Sequence, residues 1–276
     1  MNEAKLVFYA GSTLLEGPRW NNELNVLLCV SIEQERIFLI DEDGQFVKTF
    51  KTHGQVGFAL FKDCNTIIYA AYEGVYELDV FSGKDKFIFQ ANTDKTLRYN
   101  DGCYDPKGRI LLGTTGYKRL AQGECGLYSA NAGGSNLKKI IKNTTISNGI
   151  AFSPDSRYLY FIDTPTKKVG RYAYDVQNGN CEFDRYVVEI DGDGVPDGMC
   201  IDGEGNIYVA EWGGSRVRKW NPTTGECQKE YPVPVKNVSS CVIGGKNHNM
   251  LFITTANHDD GTPNELGAGG LFSIKL

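Results

Sequence analysis

The chain alternates short apolar runs with polar turns from one end to the other, and no stretch carries the 3.6-residue period of an amphipathic helix. Runs such as Val26-Leu27-Leu28-Cys29-Val30, Ile67-Ile68-Tyr69-Ala70, Tyr158-Leu159-Tyr160-Phe161-Ile162 and Ile207-Tyr208-Val209-Ala210 are rich in β-branched and aromatic residues. That composition and length predict strands. Between them lie turn residues, as in Pro106-Lys107-Gly108, Pro154-Asp155-Ser156 and Gly203-Glu204-Gly205.

The alternation repeats on a longer scale. Six segments align on a common start: Gly17-Pro18-Arg19-Trp20-Asn21, Gly57-Phe58-Ala59-Leu60-Phe61, Gly102-Cys103-Tyr104-Asp105, Gly149-Ile150-Ala151-Phe152-Ser153, Gly198-Met199-Cys200-Ile201-Asp202 and Ser239-Ser240-Cys241-Val242-Ile243. Each is followed by a polar turn and a second strand. In most copies a third strand and a fourth, such as Phe46-Val47-Lys48-Thr49-Phe50, complete the unit. The starts lie 40 to 49 residues apart. This period predicts an all-β, six-bladed β-propeller of four-stranded blades, one domain over residues 1–276. The ends are complementary. The last unit shows three strands ending at Leu276, while Lys5-Leu6-Val7-Phe8-Tyr9 is a strand with no unit of its own. The N-terminal strand is therefore expected to close the last blade, leaving no open sheet edge; a solenoid would carry polar, atypical caps instead.

Composition narrows the functions. With 41% hydrophobic and 23% charged residues the chain suits a soluble globular protein. A net charge of −5 without a dense Lys/Arg cluster argues against nucleic-acid binding. The longest apolar run, Val56 to Phe61, is far short of the ~20 residues of a bilayer span. Met1-Asn2-Glu3-Ala4-Lys5 carries no secretory pattern, so a cytoplasmic location is expected. Eight cysteines show no Cys-x-x-Cys spacing, and buried reduced thiols are expected.

The 32 glycines gain meaning from the repeat. The residues before the aligned starts are Glu16, Val56, Asp101, Asn148, Asp197 and Val238, and equivalent propeller positions converge on the axis. Four of the six bear oxygen, three as carboxylates. Like charges so placed need a proton or a cation, and oxygen-only donors favour Ca²⁺ or Mg²⁺, with Mn²⁺ and Zn²⁺ also compatible. Turn chemistry accounts for Asp101, Asn148 and Asp197 one at a time, as Asp-Gly and Asn-Gly pairs. It does not account for Glu16. Other motifs fail: Asp191-Gly192-Asp193-Gly194-Val195-Pro196 breaks an EF-hand at Val195 and Pro196, and Gly213-Gly214-Ser215-Arg216-Val217 lacks the last glycine of a nucleophile elbow. His53, His248 and His258 share no ligand spacing and are expected on loops or the surface.

Leu15-Glu16-Gly17-Pro18-Arg19-Trp20, Arg98-Tyr99-Asn100-Asp101-Gly102, Ser147-Asn148-Gly149-Ile150-Ala151-Phe152 and Pro196-Asp197-Gly198-Met199-Cys200-Ile201-Asp202 resemble the signatures of the senescence marker protein, gluconolactonase and luciferin-regenerating enzyme family, in its regucalcin-like branch. The resemblance runs in order over nearly the whole chain. It implies a six-bladed propeller with one divalent cation on its axis, Ca²⁺ foremost, held by Glu16, Asn148 and Asp197. It also implies substrate contacts from Arg98 and Asn100, with Asn100 as a possible fourth metal ligand, and a turn or supporting role for Asp101. One departure stands out: where regucalcin-like lactonases carry a glutamate after the Gly-Thr of the third blade, this chain has Lys118. A lysine only donates hydrogen bonds, so substrate preference should shift, toward a smaller, more apolar or anionic compound. The expected activity is metal-dependent opening of a sugar-acid or related small lactone, with Asp197 as general base. The alternatives are a phosphotriesterase or arylesterase on the same metal site, a non-catalytic calcium-binding regulatory protein, and a propeller that only presents a protein-binding face. The expected partner is a small lactone, with no nucleic acid and no membrane, and the expected state a monomer or weak homo-oligomer.

Overall fold

The computed structural model describes residues 3–257 and 265–276; His258 lies outside them. Strand β1 (Lys5–Tyr9) comes first, and the chain then builds four-stranded antiparallel sheets in order. They are β2 (Leu15–Asn21), β3 (Val26–Ser31), β4 (Arg36–Asp41) and β5 (Phe46–Lys51); β6 (Val56–Phe61), β7 (Thr66–Ala71), β8 (Gly74–Asp79) and β9 (Asp85–Phe89); and β10 (Leu97–Tyr104), β11 (Ile110–Gly116), β12 (Cys125–Ala130) and β13 (Lys138–Thr144). The second half adds β14 (Ser147–Phe152), β15 (Tyr158–Asp163), β16 (Lys168–Asp175) and β17 (Asn180–Glu189), then β18 (Val195–Ile201), β19 (Ile207–Trp212), β20 (Arg216–Trp220) and β21 (Cys227–Pro232). The last sheet is β22 (Val238–Gly244), β23 (Met250–Thr255), β24 (Gly270–Lys275) and, on its outer edge, β1.

This is the expected six-bladed propeller, closed by the N-terminal strand. Tyr9 pairs with Gly270 and Lys5 with Ser273, so the two ends of the chain complete one blade. The sole helical element among the described residues is a 3-10 turn at Thr164–Thr166. No helix among them is long and apolar enough to cross a membrane.

The first strand of each blade lies innermost, and these strands contact one another in a ring from β2 through β22 and back to β2. Apolar side chains fill the seams between blades. Leu28, Val56, Tyr69 and Ala71 pack between the first and second blades, and Phe252, Leu271, Leu15 and Leu27 between the sixth and first. Strands buried on both faces explain the near-continuous apolar runs, since each sheet is covered by its two neighbours.

Every inner strand carries a bulge at the aligned position. The register shifts fall between Glu16 and Arg19, Val56 and Phe58, Tyr99 and Gly102, Asn148 and Ile150, Pro196 and Met199, and Val238 and Ser240. A bulge re-aims side chains and bends the strand, here at the mouth where the inner strands begin. Two glycines show why the position tolerates so little bulk. A Cβ on Gly57 would come within 2.5 Å of the Tyr99 carbonyl, and one on Gly198 would overlap Ser240 of the next inner strand.

The cysteines are all unpaired, as expected, but less uniformly buried. Cys29, Cys125 and Cys241 are buried, Cys64, Cys103, Cys181 and Cys200 are half-buried, and Cys227 is exposed. Cys181 and Cys227 lie on the outermost strands β17 and β21, Cys64 lies in the turn after β6, and Cys103 and Cys200 are on inner strands.

Candidate active site

The bulges gather the slot residues at one mouth of the central channel. Asp197 and Asn148 are buried, each 6% exposed, and Val56 and Val238 are buried among them; Glu16 is half-buried. Glu16 accepts a hydrogen bond from the Gly17 amide at 2.9 Å, and Asp101 accepts one from the Gly102 amide at 2.7 Å. The same slot thus folds the same way in two blades. Gly17 reaches it with φ of 53°, in the left-handed region where a side chain is strained.

Three carboxylates share this space. Burial pushes Glu16 up to about 8, with the Asp101 carboxylate adding to the shift. Asp197 is pushed well above its usual range by burial, then by Glu16 and Asp101. Arg19 crosses the channel to Asp101 at 3.0 Å and to the Gly102 carbonyl at 2.9 Å. Asp101 is thereby occupied by a guanidinium, in keeping with a supporting role. Burial lowers Arg98 from its ordinary value, whereas the charges of Glu16, Glu33 and Asp197 raise it. Two guanidiniums therefore face three carboxylates, and ionisation of all three calls for one more positive charge.

A directed chain of hydrogen bonds crosses three blades. Arg98 donates to Asn100 Oδ1 at 2.8 Å and to the Tyr99 carbonyl at 2.9 Å. Asn100 Nδ2 donates to Asn148 Oδ1 at 2.7 Å and to the Ser147 carbonyl at 3.1 Å. Asn148 Nδ2 donates to Thr164 Oγ1 at 2.8 Å, and that hydroxyl donates to the Pro196 carbonyl at 2.9 Å. The chain ends on the residue before Asp197. Each amide has one orientation compatible with its neighbours, so the side-chain oxygen of Asn148 is set by the guanidinium of Arg98 two links away.

The donor set suits a hard divalent cation: two carboxylates that repel each other, and an amide oxygen with a second lone pair to offer. Among the described residues no three His, Cys, Asp or Glu side chains form a metal-holding group. The arrangement at the mouth has only two such residues beside an asparagine, because Asp101 has turned to Arg19. Asn100, in this arrangement, gives one lone pair of its Oδ1 to Arg98 and points its amide nitrogen at Asn148.

Lys118 stands apart from this cluster. It is exposed on the rim, in the left-handed region at φ 57°, with its ammonium 5.0 Å from the centre of the Tyr117 ring. Tyr117 packs against Tyr72 with ring centres 4.4 Å apart and planes tilted by 33°, and its amide donates to the Thr96 carbonyl at 2.8 Å. Because Arg98 pairs with Thr115 across the sheet, Lys118 lies just beyond Arg98 on the way out of the channel.

The repeat picks out Glu16, Asp101, Asn148 and Asp197 together, the resemblance singles out Glu16, Asn148 and Asp197, and neither marks Arg19 or Thr164. Arg19 follows its slot by three residues, and Thr164 sits in the 3-10 turn after β15. The position of Arg19 recurs in the repeat, but as Ala59, Tyr104, Ala151, Cys200 and Cys241, and Thr164 falls outside the aligned segments, so nothing in the pattern marks either. His53 and His248 are on loops: His53 pairs with Asp85 at 3.1 Å and stacks on Tyr76, and these contacts include none of the slot residues.

Residues 14–257 match the family model described as SMP-30/Gluconolactonase/LRE-like region. The chain belongs to that family. It is 34% identical over 266 residues to the putative sugar lactone lactonase YvrE of Bacillus subtilis, covering 95% of this chain and 90% of that protein. It is 31% identical over 270 residues to human regucalcin, covering 94% and 89% of the two chains. Among solved structures, a luciferin-regenerating enzyme superposes with a TM-score of 0.87 at 24% identity, over 98% of this chain and 94% of that one. A structure described as a calcium-binding protein, regucalcin, from Agrobacterium tumefaciens also gives 0.87, at 23% identity over 98% and 95%. These last two likenesses are likenesses of fold.

Proposed function

We propose that this member of the SMP-30/gluconolactonase family hydrolyses small lactones of the sugar-acid type with the help of one divalent cation, Ca²⁺ foremost, at the mouth of the channel. The observation that carries the reading is the hydrogen-bond chain from Arg98 to Pro196, which presents one amide oxygen beside two mutually repelling carboxylates. The name of the YvrE relative and the lactonase branch of the family support the choice of substrate class.

Glu16, Asn148 and Asp197 would hold the cation, which when bound supplies a Lewis acid for the ester carbonyl and offsets the carboxylate charge. Asp197 takes a proton from the attacking water, and its return to the ring oxygen lets the opened hydroxy acid leave. Arg98 orients the ester by donating hydrogen bonds to its oxygens, and Asn100, whose Oδ1 holds the Arg98 guanidinium, accepts from a substrate hydroxyl. Lys118, at the rim, meets the part of the substrate that faces solvent. Val56 and Val238 keep their side of the ring dry, which strengthens the electrostatics opposite.

The test is acid release from a panel of sugar and aliphatic lactones, with each divalent cation returned to chelated protein. Asp197→Ala is expected to abolish hydrolysis, and Glu16→Gln to weaken cation binding seen by calorimetry. Full activity of either variant after exhaustive chelation overturns the reading. Tight Ca²⁺ binding with no lactone opened favours the calcium-binding regulatory role, and turnover of aryl or phosphate esters alone favours the esterase alternatives.

A further inference from the structure

The inner strands of the fifth and sixth blades carry a second piece of chemistry, on the far side of Asp197. Cys200 of β18 and Cys241 of β22 bring their sulfurs to 3.7 Å across the seam. The contact joins two blades whose strands touch closely, since Gly198 leaves no room for a Cβ against Ser240. Cys241 is buried and also donates to the Tyr208 carbonyl at 3.5 Å. Cys200 is half-buried. Beside it opens a groove of about 550 Å³ lined by Ile201, Tyr208 and Ile243, which are respectively the next residue, the cross-strand partner of Cys200, and a neighbour of Cys241. The groove is lined by neighbours of the pair and not by the sulfurs themselves, and of the two residues only Cys200 keeps some exposure.

We infer that Cys200 and Cys241 form a site of reversible oxidation, closing to an inter-blade disulfide when a hydroperoxide reaches the groove. The order of events follows from exposure. Cys200 attacks the peroxide oxygen, the O–O bond breaks, and the products are a Cys200 sulfenic acid and water or an alcohol. Cys241 then attacks the Cys200 sulfur, and the sulfenic oxygen leaves as water with the thiol proton. Two thiols lose two electrons in all, and the peroxide gains them. Burial holds the Cys241 thiol well above its usual value, which keeps it from reacting first with a peroxide. The remaining distance to bonding contact is closed by side-chain rotation, since two sulfurs in contact need move only ~1.7 Å to reach the ~2.05 Å of a disulfide.

The position gives the bond a consequence. It would tie the blade next to the closing blade, where the ends of the chain meet, and it lies on the strand that carries Asp197 three residues earlier. A covalent link over a separation of 41 residues restricts the unfolded chain. The disulfide form is expected to resist heat better than the dithiol.

The experiment titrates the intact protein with hydrogen peroxide, blocks remaining thiols with N-ethylmaleimide and maps peptides without reduction. The expected result is a linked pair of peptides carrying Cys200 and Cys241, about 2 Da lighter than the separate thiol peptides, with a midpoint of unfolding raised on the order of 5 °C. Dithiothreitol should reverse both. Cys241→Ser should leave a Cys200 sulfenic acid that dimedone captures, and Cys200→Ser should leave Cys241 unreacted. If both thiols stay open to the maleimide after denaturation while Cys227 is already oxidised, or if Cys200 proceeds to sulfinic acid beside an intact Cys241, the inference is wrong. A linked form that melts earlier than the dithiol overturns the seam-tying consequence. The peptide map on the unaltered protein decides the main point even where a variant fails to fold.

Discussion

Thr164 holds one hydroxyl between two blades: it accepts from Asn148 and donates to the carbonyl before Asp197. Removing that oxygen takes away the acceptor of the Asn148 Nδ2 and loosens an amide whose Oδ1 is then held by Asn100 alone. Thr164→Val, nearly the same shape, is expected to weaken cation affinity by about 10- to 100-fold with the β-sheet circular dichroism unchanged, whereas Thr164→Ser should retain most of it. Calorimetric titration with Ca²⁺ reads both. Lys118 makes the opposite case, since it is exposed and bears on a ring and not on the cluster. Lys118→Glu should alter stability by no more than about 0.5 kcal/mol. It should raise KM for lactones bearing a carboxylate or phosphate by about fivefold relative to neutral ones. Equal KM ratios in the two proteins would separate Lys118 from substrate recognition. Glu16, Asn148 and Asp197 were legible because the repeat marks one slot six times. Arg19 and Thr164 were not, because no other copy carries an arginine at the aligned position and Thr164 lies in a turn outside the aligned segments.

At the scale of the element, the bulge in each inner strand re-aims the slot residue at the mouth of the channel. The sequence predicts the strands and their glycines; that each glycine sits at a register shift depends on where the partner strand ends and how near the next blade comes. Gly198→Ala forces β18 away from Ser240, and overpacking of this kind costs about 1–3 kcal/mol. Urea denaturation should show that loss as a lower midpoint with an unchanged slope. Blade five carries another such dependence. Glu211 on β19 is fully buried, held by Arg218 and, at 3.0 Å, by Arg216, while Arg218 also reaches Asp191 at 2.6 Å. Arg218→Ala leaves the carboxylate short of its buried partner and is expected to destabilise the fold by about 3–5 kcal/mol. A double change that also makes Glu211→Gln should recover part of it, and no recovery would deny the pairing its importance.

For the whole molecule, closure governs stability. The sixth blade exists only when β1 adds to β24, so removing residues through Tyr9 exposes the edge of β24 and strips the cover from Phe272 and Leu271. The shortened chain is expected to aggregate or to melt well below the intact protein, read by size-exclusion chromatography and scanning calorimetry. Closure is also what makes an axis, and the axis is what makes the carboxylates neighbours. Stretches as remote in sequence as Glu16 and Asp197 share an electrostatic environment because β2 and β18 belong to one ring.

The repeat, read from the chain alone, determines the number of blades, the strand that closes them and the slot that holds Glu16, Asn148 and Asp197. It can do so because each blade folds on local alternation, and six similar units must meet at one axis. What only the tertiary structure decides is how the slot residues are paired. Asp101 goes to Arg19, the oxygen of Asn100 goes to Arg98, and Asn148 takes its orientation from Thr164. These partners stand on different blades at unrelated positions, and hydrogen bonds only a few ångströms long choose among them by distances that no spacing in the sequence encodes.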